Sequence, residues 1–226
     1  MSKSKIGIIG GAGPLASALL YRLVIEECYK KKKNLPEILL INFPFTRGLQ
    51  SSESQQNHNI LQEELSYCLD ILRSNNIELA AIACNTLHFF LTKEMQRSLK
   101  FIHLPKNTLE KLKSTGFKKI LLLGTQTTST SNVYSCNHTK LLYANNNSQR
   151  DVSRIIDTIL EGSIKNTQTE KLLKISKRLF DIHRFEALLL GCTELSLLND
   201  RFPLRSNNFK IIDPLKILAK TLVEEI

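Results

Sequence analysis

Ala83-Cys84-Asn85-Thr86 and Gly191-Cys192-Thr193-Glu194 each close a short apolar run, residues 79–84 in one case and 187–191 in the other. Each run has the length of a strand, and each cysteine is followed by residue types that cap helices, Asn85 or Thr86 in the first turn and Thr193 in the second. Strands that pass into helices through such turns build a parallel sheet with crossover helices, so the fold class is α/β. Further strands are expected at residues 6–10, 38–43, 101–104, 119–124, 141–144 and 210–213, separated by longer stretches with helical spacing. Eight strands fall four to each half of the chain. The halves echo one another: Cys84 stands 21 positions before Pro105, Cys192 stands 22 before Pro214, and each proline opens a helix after an apolar strand. A duplicated unit is the expected architecture, giving two similar lobes, each a mostly parallel sheet of about four strands flanked by helices. Residues 145–148 read as a polar loop and residues 166–169 as a separator between two helices.

A chain of 226 residues is long enough to bury a core in each half. No apolar run reaches the roughly 18 residues of a membrane span, and the opening Met1-Ser2-Lys3-Ser4-Lys5 passes straight into a strand pattern, so a cytoplasmic protein without membrane association is expected. Five cysteines without CxxC spacing argue against a disulfide framework and a cysteine-paired zinc site. The net charge of +10 favours anionic partners, but the basic residues are dispersed apart from Lys30-Lys31-Lys32-Lys33, which reads as the solvated end of a helix. No aromatic platform accompanies the charge, so nucleic acid is not an expected partner.

Gly10-Gly11-Ala12-Gly13-Pro14 follows the first strand, with Pro14 suited to the first helical position. Free N–H groups in such a turn can hold an anion. The turn fits a dinucleotide fingerprint only loosely, because the second strand ends in Asn42-Phe43-Pro44 where an acidic residue is needed. It therefore reads as a tight turn shaping a small-molecule pocket, in which Gly11 either touches the ligand or serves the backbone alone.

Ligands in open α/β sheets bind beyond the carboxyl ends of the strands, which puts Cys84 and Cys192 on the functional edge. The helix N-terminus following each is expected to favour thiolate and lower the thiol pKa. Two thiols opposed across a cleft supply an acid/base group to each face of one carbon atom, the arrangement that inverts a stereocentre without a cofactor. Cys68 falls on an apolar stripe with Leu61, Leu65 and Leu72 and reads as core, while Cys28 and Cys136 read as structural. His88 lies four residues after Cys84, but no third or fourth ligand is evident, so no metal is expected. His58, His103, His138 and His183 have no informative neighbours.

These residues carry a resemblance to the aspartate/glutamate racemase family, and to its aspartate branch. Its carriers are Ile8-Ile9-Gly10-Gly11-Ala12-Gly13-Pro14-Leu15-Ala16, Ala83-Cys84-Asn85-Thr86-Leu87-His88, Gly124-Thr125 with Thr128, Ser131 and Tyr134, Gly191-Cys192-Thr193-Glu194, and Ile212-Asp213-Pro214. The resemblance implies a first lobe of residues 1–99 completed by a returning segment 210–226, a second lobe of residues 100–209, and a site in the cleft between them. It implies that Cys84 and Cys192 are the two acid/base thiols of a cofactor-independent amino-acid racemase acting on aspartate or glutamate, in a homodimer. Asn85, Thr86, Thr125 and Thr193 would hold the α-carboxylate and amino group, and Glu194 stands where glutamate racemases carry histidine. Three departures are visible. The loop Asn42-Phe43-Pro44-Phe45-Thr46-Arg47 is shorter or shifted, leaving Arg47 as the candidate for a distal carboxylate. Leu160-Glu161-Gly162 lacks the branch's lysine, with Lys165 close by, and Ala12 replaces a common methionine. Two further readings share the scaffold: a cysteine-dependent isomerase or lyase, and an amino-acid-binding protein without turnover.

Overall fold

The structure is a computed structural model that describes residues 4–45, 55–97, 99–135 and 137–226. In chain order the first half runs β1 (Lys5–Gly10), α1 (Pro14–Lys30), β2 (Glu37–Asn42), α2 (Gln55–Ser74), β3 (Leu79–Ile82), a one-turn 3-10 helix at Thr86–Phe89, β4 (Lys100–Ile102) and α3 (Leu104–Lys113). The second half runs β5 (Lys119–Gly124), α4 (Gln126–Thr130), β6 (Lys140–Tyr143), α5 (Asn146–Leu160), α6 (Asn166–His183), β7 (Ala187–Gly191), α7 (Thr193–Arg201), β8 (Lys210–Ile212) and α8 (Pro214–Glu224). All eight expected strands are present, β5 and β7 at the expected bounds and the others with ends moved by one or two residues.

The strands form two parallel four-stranded sheets, ordered β2-β1-β3-β4 and β6-β5-β7-β8. Substituting β5 for β1 and continuing in step converts one order into the other, so the two halves have the same topology. Beyond the lysines that open β1 and β5, the central strands are apolar, as burial on both faces by crossover helices requires: Ile6, Ile8 and Ile9 in β1 and Leu188, Leu189 and Leu190 in β7 are fully buried.

Pairing shifts the expected lobe boundaries. β4, from residue 100 onward, pairs with β3 and so belongs to the first sheet, whereas β8, from residue 210, pairs with β7 and belongs to the second. Only the helix after β8 crosses back. Leu215, Leu218, Leu222 and Val223 of α8 join Leu19, Leu20 and Val24 of α1 in one core cluster. The link is reciprocal, because α3, which follows the first sheet, sends Leu109 and Leu112 into the core beneath β5 and β7. Each lobe is thereby closed by a helix at the crossing point.

Local chemistry fixes both crossings. His103 caps α3 by accepting from the Lys106 N–H, Asp213 caps α8 by accepting from the Leu215 N–H, and each helix carries proline in its first turn. The run Lys30–Lys33 is not simply solvated. Lys33 Nζ donates to the carbonyls of Val223 and Ile226 at 2.7 Å each, capping the end of α8. The two polar stretches also read differently in the fold. Asn145 caps α5 through the Ser148 N–H, and residues 146–148 are already helical. Residues 166–169 form the first turn of α6, held by the Gln168 side chain accepting from the Lys165 N–H, so residues 161–165 make the connection.

Leu218 is fully buried where α8 meets α1. Leu218→Ala is expected to cost about 2–5 kcal/mol, measured as a fall in the urea denaturation midpoint.

Candidate active site

The two thiols enter one cavity by different local routes. β7 runs without interruption into α7, and Cys192 itself takes the N-cap position with extended backbone, φ −138° and ψ 137°, leaving Thr193 as the first helical residue. β3 stops at Ile82, two residues before Cys84, and the chain then enters the 3-10 turn rather than an α-helix. Asn85 occupies the cap position of that turn, but its side chain makes no capping bond. Its Oδ1 instead accepts from Tyr134 Oη at 2.5 Å, reaching into the opposite lobe.

Cys84 and Cys192 both line a cavity of about 300 Å³ at the junction of the lobes. Asn85, Thr86, Thr125 and Glu194 line it as well, together with Ala12, Gln126 and Thr127. The remaining wall is one face of α5: Ser153, Ile156, Asp157 and Leu160. Of that face the sequence singles out only Leu160, within Leu160-Glu161-Gly162. The signal for the whole face is the 3.6-residue period of α5 just ahead of Glu161-Gly162.

The other candidates lie around the cavity rather than on it. Thr193 donates toward the Ala83 carbonyl at 3.4 Å and to Glu194 at 3.3 Å, joining the two cysteine turns. Gly11 commits its N–H to Ser17 Oγ, and at φ +110° a Cβ would meet the Phe43 carbonyl oxygen at 1.8 Å, so its service is to the turn. Gly13 clears room for Glu194, whose Oε1 lies 1.7 Å from where a Cβ would stand. Arg47 and Cys136 fall outside the described residues. Lys165, exposed, lines a separate groove between α5 and α6. His88 is fully engaged in backbone support: Nδ1 sits 2.6 Å from the Cys84 carbonyl and Nε2 accepts from the Leu104 N–H. This leaves His88 no open nitrogen for a metal.

Electrostatics overturn one expectation. The thiols are not acidified by the turns that follow them. Burial, and then the charge of Glu194, push the Cys84 thiol up to about 12, although the N–H groups of Leu87 and Thr86 pull the other way as expected. Cys192 is also raised, by burial and by Glu194, whose Oε2 accepts from Cys192 Sγ at 2.8 Å. Glu194 is itself raised by burial, against the hydrogen bonds from Cys192 and Thr193. The Cys84 charge also acts on Cys192, which places the two sulfurs in one electrostatic unit. Among the described residues Asn85 Nδ2 is a buried donor without a partner, on a residue that lines the cavity. An unpaired buried amide is the kind of group a ligand carboxylate satisfies.

The model of the Asp/Glu/Hydantoin racemase family matches residues 9–222. The chain belongs to this family. It is similar to the broad specificity amino-acid racemase RacX of Bacillus subtilis, 23% identical with 96% of each chain covered. It also matches the glutamate racemase of Aquifex aeolicus at 27% identity, over 69% of this chain and 61% of that relative, so it spans under two thirds of the latter's length. Among solved structures, an aspartate racemase homologue from Pyrococcus horikoshii superposes with a TM-score of 0.76 at 26% identity, covering 98% of both chains. The Picrophilus torridus aspartate racemase gives 0.71 at 23%, covering 98% of this chain and 94% of that one.

The charge of Glu194 raises both thiols and so favours their protonated forms. Glu194→Gln is expected to move the rise in alkylation of Cys84 and Cys192 to lower pH, read by iodoacetamide labelling and peptide mass spectrometry across a pH series.

Proposed function

We propose that this racemase-family protein inverts the α-carbon of an amino acid by two-thiol proton transfer, with no cofactor. The observation that carries the reading is that Cys84 and Cys192, contributed by corresponding turns of the two sheets, open into the same 300 Å³ cavity. One sulfur as thiolate takes the α-proton, and the electron pair left on carbon spreads into the carboxylate. The opposite thiol then gives its proton to the other face, so the two sulfurs exchange charge and each serves as acid in one direction and base in the other. The raised pKa values suit this role, because a thiolate formed in a dry site is a stronger base than one in water. The substrate ammonium, entering beside Glu194, offsets the cost of forming it. Asn85 Nδ2, Thr86 and Thr125 are the donors suited to the α-carboxylate, where negative charge grows in the transition state.

For the side chain, the first reading is a dicarboxylate, aspartate or glutamate, with Arg47 as its cation. A second reading is favoured by a specific feature: Asp157 lines the cavity, its pKa raised by burial and then by the charge of Glu161, and no lysine or arginine lines the cavity among the described residues. That wall suits an amino acid with a basic side chain.

The test is exchange of the α-proton in deuterated solvent together with chiral chromatography, run on aspartate, glutamate, lysine and arginine. Racemisation is expected to fall by about 10²–10⁴-fold in both Cys84→Ser and Cys192→Ser. Retention of full turnover in either variant rejects the two-thiol scheme. Tight amino-acid binding without exchange in the unmodified protein supports a binding role instead.

A further inference from the structure

A second cavity, of about 630 Å³, lies between α5 and α6 on the far side of α5 from the thiols. Its lining carries Arg154, Lys165, Lys171, Lys174 and Arg178 against one carboxylate, Asp151. Asp151 is matched to Arg154 at 3.6 Å, and among the described residues no carboxylate lies within ion-pair distance of the other four cations. Their placement is costly for the helix that carries most of them. Lys171, Lys174 and Arg178 follow one another at spacings of three and four, so like charges stack along one face of α6, an arrangement that weakens a helix by a few tenths of a kcal/mol per pair. Arg178 is held at the rim by donating to Ser148 Oγ at 2.9 Å, and Ser148 is fully buried in the first turn of α5. The floor is firm, formed by Ile155, Ile175 and Gln168, the last locked by its bonds to the Lys165 N–H and the Ser163 carbonyl.

A cleft with a rigid floor and four unmatched cations, one from the loop after α5 and three from one face of α6, has the chemistry of a site for a small multivalent anion. Guanidinium and ammonium groups together satisfy phosphate oxygens through charge-assisted hydrogen bonds. The general excess of positive charge does not produce such a cluster elsewhere among the described residues: Lys216 and Lys220 of α8 line a smaller groove of about 260 Å³ with Lys30, but they share it with two carboxylates, Glu26 and Glu27. We propose that the α5–α6 groove binds a phosphorylated small molecule carrying at least two negative charges, at a site separate from the thiol cavity.

Inorganic pyrophosphate serves as the probe, titrated calorimetrically into the full-length protein at constant ionic strength made up with potassium chloride. Saturable binding of one pyrophosphate per chain is expected, with an affinity at least tenfold weaker in Lys171→Glu/Lys174→Glu and unchanged in the control Lys216→Glu/Lys220→Glu. Circular dichroism of both double variants verifies the fold, and the single variants Lys171→Gln and Lys174→Gln replace the double one if it does not fold. Equal weakening in the control, binding that merely follows ionic strength, or binding only to a long oligonucleotide overturns the proposal. Cys84→Ser is expected to bind the probe as the unmodified protein does, so loss of turnover and loss of this site are read separately.

Discussion

Three hydroxyls hold the cavity open. Thr86, in the turn after β3, lies 3.0 Å from Thr125, the N-cap of α4, and 3.1 Å from Thr128 within α4, while Thr125 and Thr128 are 3.0 Å apart. The contact joins the carboxyl edge of one sheet to that of the other. Tyr134 to Asn85 and Thr193 to Ala83 cross the same boundary, and Gly13 yields space to Glu194 from the opposite sheet. In each case a turn from one lobe meets a cysteine turn of the other. A single neutral hydrogen bond adds only about 0.5–1.5 kcal/mol, so no one of these sets the geometry. Their common direction does, because the two sheet edges can meet in one register that satisfies all of them. The helices α3 and α8, each packed across to the other lobe, then make that register the one with a filled core.

Given this frame, the ionisation of the thiols results from competition between burial and the backbone. N–H groups of Thr86 and Leu87 do favour a Cys84 thiolate, but Cys84 and Cys192 are only 8% and 5% exposed, and loss of water outweighs a few peptide dipoles. Glu194 adds to the same side. An empty site therefore stores its protons on sulfur, and a positively charged group entering the cavity is what stabilises a thiolate there. Ligand binding and activation of the base are then the same event, which suits a site that must not leave a reactive thiolate waiting in the absence of substrate.

The sheets are readable in the sequence because their signal is local. Runs such as 120–124 and 187–191 are apolar at every position, as only a strand covered on both faces can be, and the near-equal Cys-to-Pro spacings reveal the repeat. The thiols are readable for the same reason, since both end such runs. What escapes is whatever depends on the other lobe. Asp157 and Ile156 face the cavity only because α5 packs beside a turn much earlier in the chain, and nothing in their own neighbourhood distinguishes them from a solvated helix face. The helix caps fail in a similar way: Asn85 has the composition of a cap, but Tyr134 competes for its oxygen and wins. The thiol pKa departs from expectation because a helix N-terminus is visible in sequence and burial at a lobe junction is not.

The duplicated topology makes the two cysteine turns equivalent in position, yet their surroundings are not. Cys192 hands a hydrogen bond to Glu194 and begins an α-helix, whereas Cys84 precedes a 3-10 turn and meets Glu194 only through its charge. For the proposed inversion, the two mirror-image forms of an amino acid have equal free energy in water, so the ratio of kcat/KM in the two directions must be one however unlike the two sulfurs are. The asymmetry of the site is therefore confined to the balance between binding and turnover. Whichever enantiomer offers its proton to the sulfur beside Glu194 meets the more costly base, and it recovers that cost only by binding more weakly in proportion to any gain in rate, or more tightly in proportion to any loss.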